Sequence, residues 1–305
     1  MKKVSFWPWL ALAGGCGAFL LRWMQLRYGF EADTGLVIPG SPWGIALPVL
    51  LTGLALLFLA LSRGAPGNVT EALPLSRSFP VGKSFLPMAA GLLWLLSGAF
   101  ELMNARSPEA AGFVSSLALS LARGSMISGA LTVLSAVCLF CVLTPSPRDG
   151  RRAEPNAVLL LGAVAALVVR LVLQYRALSM NPSLQAYYLP LVGLSALCLG
   201  LYFAAGFAFA AGRSRRFLPA AALGTALCLG AAADGDLASR LFFLGGRAVA
   251  HGAAAASHQG AGRASGMTDH PGGTSRRGLF VPGRGKKFFP FPLDIRKKCV
   301  IVLVA

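Results

Sequence analysis

Charged residues that could take part in chemistry lie inside or directly after long apolar stretches of this sequence. Arg22, Glu101 and Arg170 each interrupt such a stretch, and Asp234 and Asp236 follow another. A charged side chain near the centre of a bilayer costs about 2.5–3.5 kcal/mol, so these groups are rare there and mark ion pairs, pathways or binding sites. They are therefore the first candidates for a functional site.

Polar side chains follow three of these charges three or four residues later, a spacing that places both residues on one helix face. Gln25 follows Arg22 in this way. Together the charges and their neighbours predict an intramembrane polar layer. Its candidate residues are Arg22, Glu101, Asn104, Arg170, Gln174, Asp234 and Asp236.

Other catalytic or metal chemistry has little support in the sequence. Cys138 and Cys141 have CxxC spacing, but they lie in an apolar segment with no further ligand nearby. His251, His258 and His270 all lie after residue 250, so the core spans offer no histidine to activate a serine or bind a metal. We expect no cofactor, no metal and no enzymatic activity.

The elements that must position the polar layer are long apolar segments. Residues 156–174, NAVLLLGAVAALVVRLVLQ, carry one charge in nineteen residues. As a helix this segment would rise about 28 Å, which is enough to cross a bilayer core. The predicted spans are 5–24, 43–61, 86–103, 126–144, 156–174, 188–212 and 217–233, with 237–256 as a doubtful eighth because of Arg240, Arg247 and His251. The sequence thus predicts an all-α, polytopic transmembrane helical bundle of seven or eight membrane-spanning helices.

The composition is also typical of a membrane protein. Of the 305 residues 55% are hydrophobic and only 13% are charged, against about 25% charged in soluble domains. The net charge of +17 would suggest nucleic acid in a soluble protein. However, basic and aromatic residues do not interleave on any one segment, so we exclude nucleic acid as a partner. Cationic loops in contact with the anionic lipid bilayer explain the charge better.

The distribution of basic residues orients the predicted spans. With the N-terminus inside, the inner segments hold eleven basic residues and the first three outer loops hold four. Cytoplasmic loops carry an excess of Lys and Arg, so the N-terminus is predicted to be cytoplasmic. The compact loops and the bias toward Arg, Leu and Ala favour the plasma (inner) membrane of a bacterium.

The charged groups fall in one layer of the predicted bundle. They lie on the four odd-numbered spans, roughly 21–29 Å from the inner boundary at 1.5 Å per residue. Three interpretations remain open. The two arginines could snorkel to water from the outer helix ends, the opposite charges could pair in a structural network, or the residues could form a ligand or ion site.

The sequence divides at about residue 250 into a transmembrane bundle (1–250) and a basic, low-complexity tail (251–305). The tail is richer in Lys relative to Arg and is rich in Gly, Ser and His. Two explanations stay open: a disordered basic tail, or a change of reading frame near Gly245 that makes these residues foreign to the fold.

Pairs of small residues four positions apart predict close helix contacts, within the chain or between copies of it. Examples are Ala11 with Gly15 and Gly224 with Cys228. We therefore expect a non-enzymatic sensor, scaffold or partner subunit that acts through helix faces on a membrane-protein partner or on itself. The alternative is a small transporter or permease component with its site in the polar layer near the outer leaflet.

Overall fold

The fold is helical through almost all of its described length. A computed structural model describes residues 6–31, 36–63, 86–106, 116–143, 153–178, 184–208 and 213–250, so the predicted tail lies outside the described residues. The helices are α1 (Trp7–Tyr28), α2 (Pro42–Ser62), α3 (Leu86–Arg106), α4 (Ser116–Leu143), α5 (Ala153–Leu178), α6 (Leu184–Ala208) and α7 (Ser214–Ala231). A further helix, α8, covers 237–250. The prediction of an all-α fold is confirmed.

Among the helices that the structure describes, five (α2 to α6) are long and apolar enough to cross a membrane. Large apolar side chains such as Leu56, Val169 and Leu199 point away from the bundle on these helices. Soluble proteins rarely expose apolar surface on this scale, whereas lipid tails accommodate it. The helices therefore indicate a membrane-embedded protein. α1 and α7 are not among the five.

Several helix bounds differ from the sequence prediction. α4 begins at Ser116, ten residues before the predicted span, and α6 begins at Leu184, four residues before its span. α1 and α5 continue to Tyr28 and Leu178, four residues past theirs. In α4 the apolar part, Gly124–Val142, agrees with the predicted span to within two residues. Hydropathy predicts the apolar part of a helix, whereas the helix itself continues through good helix formers such as Leu and Ala into a more polar segment.

Helix α7 lies at the centre of one side of the bundle, where it packs against α1, α2 and α6. Its many Ala and Gly residues let the neighbouring backbones come close. A Cβ on Gly15 of α1 would lie 3.1 Å from Ala226 Cα, and one on Gly224 would lie 3.4 Å from the Ala196 carbonyl. These two small-residue faces therefore make contacts within the chain. Gly162, by contrast, has nothing within 4 Å of its Cβ position.

Helix α8, the doubtful eighth segment, belongs to the core. Phe242 and Phe243 are buried. Trp94 of α3 stacks on Phe242 with ring centroids 5.7 Å apart, and its indole N–H donates to the Phe242 carbonyl at 3.0 Å. Arg240 and Arg247 lie seven residues apart and so share one side of the helix. The other sides stay apolar, which is why two arginines do not keep this segment out of the core.

The close contact between α3 and α4 gives a first test of the packing. A Cβ on Gly98 would lie 2.9 Å from the Gly129 carbonyl oxygen. Because backbone would have to move, we predict that Gly98→Ala lowers the free energy of unfolding by about 1–3 kcal/mol. Thermal unfolding of the full chain in detergent measures this change.

The matched control for this test is Gly162→Ala, the same substitution in a helix at a position with open space. It should leave the melting temperature unchanged or raise it slightly, because Ala is the better helix former. Equal melting temperatures for the two variants would contradict the close approach of α3 and α4.

Candidate functional site

The first part of the polar layer is centred on Arg170 of α5, which is only 4% exposed. Its Nη1 donates to Glu101 Oε2 at 2.9 Å and its Nη2 donates to Oε1 of the same carboxylate. Nη1 also donates to the Thr132 hydroxyl and, at 3.3 Å, to the Ser128 carbonyl. The guanidinium carbon lies 4.1 Å from the centroid of the Phe242 ring.

One guanidinium therefore joins four helices, α3, α4, α5 and α8. The bidentate pair with Glu101 is the strongest geometry available to an arginine and a carboxylate. The guanidinium carbon also lies over the Phe242 ring, an arrangement that adds a cation–π attraction. A lysine could not reproduce the two-pronged pair.

The second part of the layer is the ion pair between Arg22 of α1 and Asp234. Arg22 is completely buried. Its Nε donates to Asp234 Oδ1 at 2.7 Å. Its Nη1 donates at 2.8 Å to the amide oxygen of Gln25, one turn further along α1. This pair joins α1 to the connection between α7 and α8.

That connection, 232–236, has the local sequence of a tight turn. Gly235 adopts a positive φ of +80°, a conformation that glycine accepts without steric cost. Asp236 then begins α8, because its carboxylate accepts a hydrogen bond from the backbone N–H of Ser239 at 3.2 Å. An aspartate is among the best residues for this N-cap role. The turn thus fixes Asp234 in position opposite Arg22.

The seven predicted site residues separate into two groups. Arg22, Glu101, Arg170 and Asp234 form the two ion pairs. The snorkelling interpretation is wrong for both arginines, since both are buried inside the protein. Asn104 and Asp236 are exposed and belong to neither pair. Gln174 lies one turn beyond Arg170 on α5.

Sequence reasoning missed the groups that complete the Arg170 site. Ser128 and Thr132 come from α4, whose predicted span carries no charge and therefore gave no signal. Their spacing of four residues does place them on one helix face. The Phe242 ring comes from the segment that was doubtful as a span. A search for hydroxyl and aromatic residues at the same depth as the charges would have found these partners.

A pocket of about 290 Å³ lies beside Asp234. Its walls include Leu26 of α1, Gln174 of α5, Pro190 of α6 and Phe243 of α8. Asp234 Oδ2 and Gln174 Oε1 are buried and have no hydrogen-bond partner in the part of the chain that the structure describes. Two residues of the pocket wall therefore each carry a buried acceptor without a partner among the described residues.

Neither a metal centre nor a known relative gives the layer a function. Among the described residues, no group of three or more His, Cys, Asp or Glu side chains could hold a metal ion. Comparison of the chain with protein families, curated proteins and solved structures finds no match. The function therefore has to be inferred from the geometry of the layer and its pocket.

The Arg170–Glu101 pair can be tested with a double-mutant cycle. We predict that Glu101→Leu costs about 3–5 kcal/mol, because it leaves the Arg170 guanidinium buried without a counter-charge. The double variant Glu101→Leu/Arg170→Leu should regain much of that stability, since no lone charge remains. Chemical or thermal unfolding in detergent measures all four corners of the cycle.

The control for the cycle is Asn104→Leu, which introduces the same residue on the same helix at an exposed position. It should change stability by no more than a few tenths of a kcal/mol. Additive losses from Glu101→Leu and Arg170→Leu would show that the two side chains do not interact.

Two aspartates in one turn give a test of the Arg22 pair. Asp234→Asn removes the buried counter-charge of Arg22 and should lower stability by about 3–5 kcal/mol. Asp236→Asn should be nearly neutral, because Asn is as good an N-cap as Asp. Comparison of the two melting temperatures measures the difference. Equal losses would mean that Asp234 acts only through the turn.

Proposed function

We propose that this chain is a non-enzymatic integral membrane protein that acts through its helix faces as a sensor, scaffold or partner subunit. The observation that carries the proposal is that the four charges of the polar layer neutralise one another in two ion pairs. Charges arranged in this way join helices. None of the four is left without a counter-charge, as an isolated acid or base for catalysis would be.

The apolar faces of the bundle support the same proposal. α2 contacts α1 and α7, and its other side exposes Ile45, Val49, Leu56 and Leu59. Such a surface suits lipid, and it equally suits a helix of another membrane protein through van der Waals packing. A rigid bundle with an open helix face is the arrangement that a scaffold or a subunit needs.

The topology that goes with this function is a bundle of seven or eight spans in the plasma membrane of a bacterium, with the N-terminus in the cytoplasm. The excess of basic residues in the predicted inner segments supports this orientation. The ion pairs support a common direction for the odd-numbered helices. Arg22, Glu101 and Arg170 lie in the C-terminal halves of α1, α3 and α5, and Asp234 follows the end of α7.

This topology predicts opposite accessibility at the two ends of α2. In a background without the native cysteines, Ile38→Cys before α2 should react with a membrane-impermeant maleimide added to spheroplasts. Arg63→Cys after α2 should react only when the membrane is permeabilised. Both positions are exposed, so access and not burial decides the result. The reverse pattern would overturn the orientation.

The proposed function can be tested by complementation of whatever growth or stress phenotype a deletion of the gene produces. A scaffold needs the shape of the bundle and not its charges. The double variant Glu101→Leu/Arg170→Leu should therefore complement as well as the parent, provided that it reaches the membrane in equal amount. Failure of an equally abundant double variant would overturn the proposal.

A specific observation favours a second function, a small transporter or permease component. The wall of the pocket beside Asp234 includes two residues, Asp234 and Gln174, whose buried acceptors have no partner among the described residues. Transporters commonly bind their substrates at buried polar groups of this kind. The same complementation assay separates the two functions when the variant Gln174→Leu is tested beside the double variant. Loss of complementation with Gln174→Leu would show that the function depends on the pocket, which favours the transporter over a scaffold.

A further inference from the structure

We infer that the pocket beside Asp234 is a binding site for a small amphipathic primary amine, held as its ammonium ion. The inference holds for either proposed function, because it concerns only what the pocket can bind. It rests on the unpartnered oxygens in the pocket, on the apolar character of its walls and on its size.

The unpartnered atoms define the polar end of the ligand. Asp234 uses Oδ1 for Arg22, whereas its Oδ2 has no partner among the described residues. Gln174 Oε1 is buried without a partner in the same described part. A buried acceptor that lacks a donor costs about 1–3 kcal/mol. A ligand that donates to both atoms removes this cost, so donors are favoured and anions are not.

An ammonium group fits this set of acceptors best. It carries three N–H donors and no acceptor. Two of the donors match Asp234 Oδ2 and Gln174 Oε1, and the third matches the hydroxyl of Ser239, which also lines the pocket. Hydrogen bonds between a cation and a carboxylate are about twice as strong as neutral ones. The Phe243 ring in the wall offers the cation a further attractive surface.

The positive charge of Arg22 limits this attraction but does not exclude an amine. Arg22 and Asp234 form a neutral pair, so the ammonium is held by directed hydrogen bonds more than by net charge. Arg170 Nε has no acceptor within the described part of the chain and would suit an anion, but Arg170 does not line the pocket. The groups that do line it therefore select a donor.

The rest of the pocket defines the body of the ligand. Leu26, Pro190 and Phe243 contribute apolar walls. A volume of about 290 Å³ is at the lower end of the range for small-molecule sites. A short alkyl or aryl group therefore fits, and a long acyl chain or a sugar does not. The expected ligand is an amine with about six to eight carbon atoms.

The test uses the purified full chain in detergent and three probes with the same alkyl chain: hexylamine, hexan-1-ol and hexanoate. A ligand that binds only the folded protein raises its melting temperature in a saturable way. We expect this from hexylamine alone. The alcohol and the carboxylate control for partition of the chain into the micelle. Equal shifts from all three probes, or no shift from any, would overturn the inference.

Variants then assign the effect to the pocket. Gln174→Leu removes one acceptor without touching either ion pair, and it should weaken hexylamine binding about tenfold or more, as measured by calorimetry. Asn104→Leu, a matched substitution at an exposed position outside the pocket, should bind like the parent. Unchanged binding by Gln174→Leu would overturn the assignment.

A second variant keeps the assignment testable if the first variant does not fold. If Gln174→Leu does not fold, Ser239→Ala removes the third predicted acceptor with a smaller change in volume, and its binding should weaken severalfold. Unchanged binding by Ser239→Ala would then overturn the assignment in the same way. Amine binding in detergent and complementation in cells are independent measurements. A failure of amine binding would therefore not contradict the proposed function, and a failure of complementation would not contradict amine binding.

Discussion

A charge buried among apolar helices needs a partner, and the rest of this structure depends on that constraint. In a medium of low polarity an isolated guanidinium loses its hydration without compensation, and the loss is several kcal/mol. Arg170 regains it from Glu101, from two oxygen atoms of α4 and from the ring of Phe242. These groups come from three different helices. The need to satisfy one side chain thus fixes how α3, α4 and α8 are placed around α5.

Small residues make this placement sterically feasible. Short polar bonds between helices require backbones that lie close together, and large side chains at the contacts would prevent it. Gly98 and Gly129 meet at the contact of α3 with α4, within one turn of Glu101. Gly15 likewise meets Ala226 where α1 packs on α7, on the helices that carry Arg22 and lead to Asp234. Close packing and charge pairing are therefore two aspects of one arrangement.

The sequence was sufficient to predict what depends on one helix at a time. The apolar segments and the charges within them follow from counting residues along single spans. It was not sufficient to predict that Arg170 selects Glu101 and that Arg22 selects Asp234, because that choice depends on helix neighbours. The place of α8 in the core was missed for a related reason. Arg240 and Arg247 lower its average hydropathy, although both lie on the side of the helix away from Phe242.

The two ion pairs differ in how completely their atoms are used, and the difference indicates where a ligand can act. Both oxygens of Glu101 bind Arg170, so that carboxylate has little to offer a ligand. Asp234 uses one oxygen for Arg22 and keeps the other beside the pocket. A ligand on that free oxygen would contact α5, α6 and α8 together with the turn that begins α8. Occupancy of the pocket would therefore favour the arrangement in which these helices are in contact, by as much as the ligand prefers that arrangement to any other.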